Sequence, residues 1–379
     1  MKILLVSPEF FPFIGGAENL VLRICSQLKK LNHKPIVFTS TKNAKNLNGI
    51  KIYSFPPLFK YSNTPFNFWG SGLKKIIEKE KPEIIVGSHS TPFMADFAAR
   101  IAKKNNIPFF LIYHNDYIKQ NFFEKTFLGL YNFFVLKKTF GLTEKIIATS
   151  DCYAEKSFFL NEFKAKLAVV PPFLDLTEFK VQEEYKKTFP KNKVVLFVGA
   201  LNKGQKYKGL DYLIKSVSML KKDFPEIKLV VVGKGNNSAY FKQLAKTEGI
   251  QHNVFFAGEI PQKQLLSFYS ECNALVLPSI NDSEGFGLVF LEAMAFSKPV
   301  IGGNAGGIPA AVEHNFNGLL VEPKNSMELT KAIKFILINK NKAKEMGLNG
   351  FKKLKDFSPE KSMNKLIGLF EGALNEKRK

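Results

Sequence analysis

Arginine is nearly missing from a chain of 379 residues that is otherwise strongly basic. The 55 Lys and Arg residues stand against 33 Asp and Glu, for a formal net charge of +22, yet only Arg23, Arg100 and Arg378 are arginine. The planar guanidinium fork is the usual tool for reading base edges and gripping phosphates bidentately, so sequence-specific nucleic-acid binding is disfavoured and no nucleic-acid partner is expected. Cysteine is scarce too. Cys25, Cys152 and Cys272 lie far apart in no CxxC spacing, and an odd number makes no disulfide framework, which fits a reducing, cytoplasmic setting. No apolar run approaches the roughly 18 residues of a spanning helix. The opening Met1-Lys-Ile-Leu-Leu-Val6 is broken at Ser7-Pro8-Glu9, too early for a signal peptide, and reads as a buried strand. Finally, the aspartates at 96, 116, 151, 175, 211, 223, 282 and 356 form no Asp-x-Asp pair, and no His or Cys cluster replaces it as a metal site.

What is present has the balance of a globular chain long enough for two domains. Short apolar runs alternate with longer helix-like stretches. The runs are Ile3–Val6, Pro35–Thr39, Ile84–Val86, Phe109–Tyr113 and Ile146–Thr149, then Val194–Val198, Leu229–Val232, Val254–Phe256, Ala274–Leu277, Pro299–Ile301 and Leu319–Val321. Such alternation predicts an α/β fold of two doubly wound parallel sheets, with domains over 1–172 and 192–357 and a linker over 173–191. Ligands of doubly wound sheets bind where loops leave the carboxyl ends of strands, and with two such domains the expected site is the cleft between them. Three glycine-rich loops qualify: Phe13-Ile-Gly15-Gly16-Ala17-Glu18, Val232-Gly233-Lys234-Gly235 and Gly302-Gly303-Asn304-Ala305-Gly306-Gly307.

The strongest local signal is Ser283-Glu284-Gly285-Phe286-Gly287-Leu288-Val289-Phe290-Leu291-Glu292-Ala293-Met294-Ala295, directly after an apolar strand. Glycines at 285 and 287 suit a tight loop, and the run from Leu288 suits a buried helix whose amino end points back at that loop. Glu284 then sits in the loop and Glu292 two turns down the helix, where burial demands a partner. Two carboxylates so placed, with free amides between them, suit a sugar, a diphosphate and a ribose.

This stretch resembles the EX7E signature of retaining glycosyltransferases of family 4. Gly15-Gly16-Ala17-Glu18, Phe197-Val198-Gly199 with Lys208-Gly209, Val232-Gly233-Lys234-Gly235, Gly306-Gly307-Ile308-Pro309 and Asn317-Gly318-Leu319-Leu320-Val321 resemble further motifs of that family in the same order. The resemblance covers essentially the whole chain. It implies the GT-B fold, two Rossmann-like domains facing a central cleft, with a last helix of about 358–376 crossing back onto the first domain. It also implies transfer of a sugar from a nucleoside-diphosphate donor with retained anomeric configuration. With no Asp-x-Asp pair the expected reaction needs no metal and no cofactor, and with no obvious carboxylate nucleophile in the sequence a front-face route is the default. On the same resemblance, Glu284 holds donor-sugar hydroxyls, the amides of Phe286, Gly287 and Leu288 lie at sugar and phosphate, Glu292 holds the ribose, and Lys208 neutralises the diphosphate. Gly16 approaches that diphosphate by its backbone, and Gly233 lies near the base. Two positions depart from the pattern, Ala200 and Ala310. Lys203 or Lys206 is the candidate replacement for the cation missing at 200.

His114, in Tyr-His-Asn-Asp after a predicted strand, matches the family's active-site histidine. His89 has a similar setting, Asp116 is placed to orient His114 or bind acceptor hydroxyls, and Glu18 belongs to the acceptor side with them. The acceptor class implied is a glycan or a lipid-linked sugar. Between Ile118 and Phe140, Phe122, Phe123, Phe127, Phe133, Phe134 and Phe140 interleave with Lys119, Lys125, Lys137 and Lys138. That pattern is compatible with peripheral contact on an anionic membrane and equally with a core helix whose lysines snorkel outward. Two rival functions stay open: a non-catalytic carbohydrate-binding relative, suggested by Ala200 and Ala310, and a nicotinamide-dependent oxidoreductase, against which the missing Gly-x-Gly-x-x-Gly weighs.

Overall fold

The computed structural model describes residues 1–11, 15–61, 64–67, 69–116, 122–179, 188–189 and 191–378. Phe13-Ile14 of the glycine loop, 180–187 and 190 of the expected linker, and Ile118 and Lys119 lie outside the described residues, as do the side chains of Phe122, Phe123 and Lys125. The chain divides into two units, Met1–Pro172 with Pro359–Lys379, and Phe173–Ser358.

The first unit carries strands β1 (Lys2–Ser7), β2 (Lys34–Thr39) and β3 (Lys51–Ser54), a short antiparallel hairpin β4 (Phe59–Tyr61) and β5 (Thr64–Phe66), then β6 (Ile84–His89), β7 (Phe109–Tyr113), β8 (Lys145–Ala148) and β9 (Leu167–Val169). Apart from the hairpin they form one parallel sheet in the order β3-β2-β1-β6-β7-β8-β9. The second unit carries β10 (Lys193–Val198), β11 (Ile227–Val232), β12 (Val254–Gly258), β13 (Ala274–Leu277), β14 (Val300–Gly303) and β15 (Gly318–Val321). They pair in parallel in the order β12-β11-β10-β13-β14-β15. Every strand expected from an apolar run is present. The strands β3 and β9 and the hairpin escaped notice because Lys51-Ile-Tyr-Ser54 is half polar and the others are three residues long, too short to write a pattern.

Strands such as Ile3–Val6 and Val194–Phe197 are continuously buried, as parallel strands covered by helices on both faces must be. The helices supply those covers through one apolar face. Gly16–Lys30 buries Leu20, Val21, Ile24, Cys25 and Leu28, a helical spacing. The last helix, Pro359–Arg378, buries Met363, Leu366 and Phe370. It belongs to the first unit, where Phe370 meets Phe110 of β7 edge to face at 4.8 Å and Ser362 Oγ donates to Pro171 O at 2.8 Å.

In each sheet the strand order reverses once, beside β1 and β6 in the first unit and beside β10 and β13 in the second. Loops leaving the carboxyl ends of those two neighbours run to opposite faces, so a crevice opens there. The positions that matter most follow from this: the loop after β10 carries Lys208, and the loop after β13 carries Glu284.

Trp69 is the chain's single tryptophan and is buried in the first unit, so its fluorescence reports that unit alone. Phe370→Ala is expected to destabilise the transition read by Trp69 in urea by about 3–5 kcal/mol. An unchanged midpoint would mean that the last helix does not hold the first unit together.

Candidate functional site

In the second unit, Lys208 ends a helical turn, Lys203–Lys208, that is closed by Gly209 in the left-handed conformation. Its ammonium lies 2.7 Å from Glu284 Oε2, and Ser279 Oγ stands 3.5 Å from the same oxygen. The backbones are pinned as well, since Ile280 N–H donates to Tyr207 O at 2.7 Å. Glu284 is 8% exposed. Burial pulls the Lys208 ammonium toward its neutral form, but Glu284 and Tyr207 outweigh that and hold its pKa above the ordinary lysine value. The Tyr207 hydroxyl is pushed up to about 12, chiefly by burial. Lys208 is therefore a fixed cation throughout the physiological range. An ammonium has three N–H donors, so one spent on Glu284 leaves others to turn toward a ligand.

Gly287, in the left-handed conformation at φ 83°, caps the helix Leu288–Ala295. The first-turn amides of such a helix have no partner within it and aim outward from its amino end. Glu292 falls in the second turn of this helix, not two full turns down. It is 8% exposed, and Tyr269 OH donates to its Oε2 at 2.8 Å. Phe286 contributes its backbone only, because its ring is buried against Phe357 at 5.4 Å. The loops around these residues press backbone on backbone. A Cβ at Gly233 would lie 2.0 Å from the Gly199 carbonyl oxygen, and one at Gly307 would lie 1.9 Å from that of Gly285. These glycines serve close packing of the loop layer. Gly16, in the first unit, differs: among the described residues a Cβ there would meet nothing within 4 Å. Of the two lysines offered as substitutes at position 200, Lys206 leans over the Tyr240 ring at 4.4 Å and lies 3.9 Å from Asp211, while Lys203 is exposed and its amide donates to Asn236 Oδ1 at 2.9 Å.

The first unit has its own polar cluster at the ends of β6 and β7. His114 Nε2 and Ser88 Oγ are 2.9 Å apart. His89 is fully buried, stacks on Tyr113 with centroids 5.1 Å apart, and meets Tyr131 OH at 3.0 Å through Nε2. Burial depresses both imidazoles, His89 to about 4 and His114 to about 3, the latter with a further contribution from His89. Both are neutral at pH 7, and so suited to accept or donate a hydrogen bond without charge. Asp116 turns its carboxylate elsewhere than expected: Tyr113 OH and Ser157 Oγ donate to its Oδ1 at 2.8 and 2.7 Å, and its amide meets Tyr153 OH. His114 is thus oriented by Ser88.

Tyr269, Ser279, Tyr207 and Ser88 were invisible in the sequence. Each is one hydroxyl on a helix, a strand or a loop with nothing beside it in the chain to mark it, and only topology brings it to a carboxylate, an ammonium or an imidazole. Among the described residues no three His, Cys, Asp or Glu side chains converge as a metal site would require.

Two family matches divide the chain. The family described as Glycosyltransferase Family 4 matches residues 14–178, and Glycosyl transferases group 1 matches residues 180–353. An uncharacterized glycosyltransferase of Haemophilus influenzae is 33% identical over 235 residues, 61% of each chain. The O-antigen chain mannosyltransferase C of Escherichia coli is 24% identical over the full length of both. Among solved structures, Anabaena HepE in complex with UDP and glucose superposes with a TM-score of 0.79 at 19% identity, covering 98% of this chain and 100% of that one; the shared fold is GT-B.

Glu18, in the first turn of Gly16–Lys30, is 8% exposed. Burial raises its carboxyl from 4.5 to about 7, a backbone amide opposes this, and Glu9 adds to it. A carboxyl whose folded value is raised contributes stability that is complete below pH 4.5 and is lost as pH rises through 7. Glu18→Gln should therefore match the parent at pH 4 and gain on it by roughly 3 kcal/mol between pH 4.5 and 7.5, read by Trp69 fluorescence in urea. A difference that does not change with pH would refute the assignment.

Proposed function

We propose that this chain, which belongs to the family 4 type of glycosyltransferases, moves a hexose-type sugar from a nucleoside-diphosphate sugar to a glycan or lipid-linked acceptor with retained anomeric configuration. The observation that carries the reading is the Lys208–Glu284 contact at the mouth of the second unit. When the glycosidic bond to the diphosphate breaks, negative charge develops on the leaving phosphate. A permanently charged ammonium and the outward-facing amides of Gly287 and Leu288 are preorganised donors for that charge. In this reading Lys208 and the helix amino end supply what a metal supplies elsewhere, and the reaction needs none.

Glu284 is held in place by Lys208 and has lone pairs to spare for sugar hydroxyls. Glu292, fixed by Tyr269, takes the ribose hydroxyls. With the carboxylates of Glu284 and Glu292 assigned to sugar and ribose hydroxyls, departure of the diphosphate and attack of the acceptor on one face of the sugar is the route this set supports. A nucleoside-diphosphate donor agrees with the UDP bound by Anabaena HepE, and a hexose with the mannosyl transfer named for the Escherichia coli relative. The first unit, with Ser88, His114 and Asp116, takes the acceptor.

A peripheral station on the membrane is the second part of the reading. The helix Phe122–Tyr131 passes into a π-helical turn, Asn132–Leu136. Here Phe127, Leu130, Phe133 and Phe134 are 45%, 56%, 62% and 64% exposed, which a core helix would not leave in water. Lys137, 5.6 Å from the Phe133 ring centroid, provides charge beside them. Among the described residues no helix is long and apolar enough to cross a membrane, so surface attachment is the form of contact proposed.

Three outcomes are expected. A screen of nucleotide sugars should find one that raises the melting temperature of the chain, a ligand at 100 times its Kd being worth about 2.7 kcal/mol. Glu284→Gln should lower kcat/KM for hydrolysis or transfer of that donor by about 10²–10³-fold at a temperature where the variant is still folded, with a lower melting temperature because the Lys208 ammonium loses its buried partner. Failure of every nucleotide sugar to bind or turn over would sink the enzymatic reading. For the membrane, Phe133→Ser/Phe134→Ser should abolish flotation with liposomes containing phosphatidylglycerol, whereas a parent protein that never floats would reject it.

A further inference from the structure

We infer that the carboxyl end of β6 carries a preformed hydroxyl cradle, Ser90 and Thr91, that takes hydroxyl groups of a sugar acceptor; the inference rests on the glycosyl-transfer reading above. Ser90 Oγ and Thr91 Oγ1 are both shut off from solvent, and among the described residues neither has a hydrogen-bond partner. Buried polar atoms left unpaired are uncommon in folded proteins and are costly enough to need a reason. Here two occur on consecutive residues, just beyond Ser88 and His89.

The loop that holds them is not slack. Phe93 has φ 79° and ψ −47°, and Met94 N–H donates to Pro92 O at 3.2 Å, which makes a γ-turn of the hand that side chains disfavour. Such strain persists only where the surroundings over-determine it. The surroundings do so here. Asp96 Oδ2 accepts the Phe93 amide at 2.8 Å and Tyr131 OH at 2.7 Å, and Thr139 Oγ1 donates to Asp96 Oδ1 at 2.5 Å. The Phe93 ring packs edge-on against Tyr131 at 5.2 Å. A carboxylate and two hydroxyls thus lock the loop and leave the Ser90 and Thr91 hydroxyls unspent, which lowers the ordering a ligand would otherwise impose.

The ligand class follows from the donors. Ser and Thr hydroxyls each donate and accept, and the imidazole of His114, bonded to Ser88 two residues before Ser90, is neutral at pH 7. Such a set matches an uncharged polyol, whose hydroxyls also do both. It is a poor match for a phosphate, which asks for cations or several convergent amides. The diphosphate has its cation at Lys208 in the second unit, so the hydroxyl cradle is assigned to the acceptor.

Ser90→Ala and Thr91→Val test this without knowledge of the natural acceptor. Binding of methyl α-D-mannopyranoside and methyl α-D-glucopyranoside is followed by ligand-observed NMR in the presence of UDP or GDP, with nucleotide affinity measured by calorimetry. The expected result is at least a fivefold loss of the glycoside signal in each variant, nucleotide affinity within twofold of the parent, and a melting temperature equal to or above the parent's, since an unpaired buried hydroxyl has been removed. A lower melting temperature would show that the hydroxyls hold the fold. Parallel loss of nucleotide affinity would move the cradle to the donor. Unchanged glycoside binding, or no binding of either glycoside by the parent, would overturn the inference. Failure of UDP and GDP to bind, with glycoside binding intact and lost in the variants, would count against the donor reading and leave the cradle standing.

Discussion

The contact between Lys208 and Glu284 is the constraint on which the second unit's site depends. The two residues are 76 positions apart, and they meet because β10 and β13 are neighbours at the one place where the strand order reverses. Neither charge is tolerable at that depth alone: removing one partner of a buried pair typically costs about 3–5 kcal/mol, while an apolar replacement of both is often neutral. The pair is therefore weakly explained as a stabiliser. What it does provide is an ammonium whose position and charge are fixed in advance, and a carboxylate whose second oxygen is free of that duty. The layer of loops beneath it serves the same end. Gly233 lies against Gly199 and Gly307 against Gly285 so closely that no side chain fits between them, and loops packed that way cannot drift apart and carry Lys208 away from Glu284.

How far the sequence spoke for the structure can be argued from single elements. Parallel strands covered on both faces are written as unbroken apolar runs, which is why Ile3–Val6, Val194–Val198 and Ala274–Leu277 were legible, whereas Lys51–Ser54 at the sheet edge, half polar and four residues long, was not. Glu284, Glu292 and Lys208 stand out in the sequence through spacing and resemblance, and the fold buries both carboxylates and pairs Lys208 with Glu284. Their other partners do not: a buried Glu292 demanded a hydrogen bond, but nothing in the chain pointed to Tyr269, which reaches it from another helix. Asp116 shows the opposite case. Two residues from His114, it was the natural orienting group, and the fold gives its carboxylate to Tyr113 and Ser157 while Ser88 takes the imidazole. Proximity along the chain is a poor guide beyond a strand end, where hydroxyls brought in by other elements compete for the same groups.

The surplus of positive charge now divides more clearly. Lys208 is the lysine that burial and a carboxylate single out. Pairs such as Lys137–Glu162 and Lys334–Asp223 lie at the surface, where ion pairs contribute little and salt screens them. The excess of lysine over arginine suits that distribution: a flexible ammonium is adequate on a solvated face, and at Lys208 a compact charge with three donors is what the geometry uses.

The first unit divides its polar groups by end. At the amino ends of its strands they are paired: Lys2 N–H donates to Glu83 at 2.7 Å, and Glu80 gathers Lys51 and the Tyr53 hydroxyl while its carbonyl takes Lys2. At the carboxyl ends the costs accumulate. A carboxyl raised to about 7 at Glu18, two imidazoles depressed to about 4 and 3, a strained turn at Phe93 and two unpaired hydroxyls all lie just beyond β1, β6 and β7. Costs of this kind, gathered at the end where doubly wound sheets bind ligands, are what a site held ready for a polar, hydroxyl-rich molecule requires, with the pairs at the amino ends supplying rigidity to the sheet that carries it.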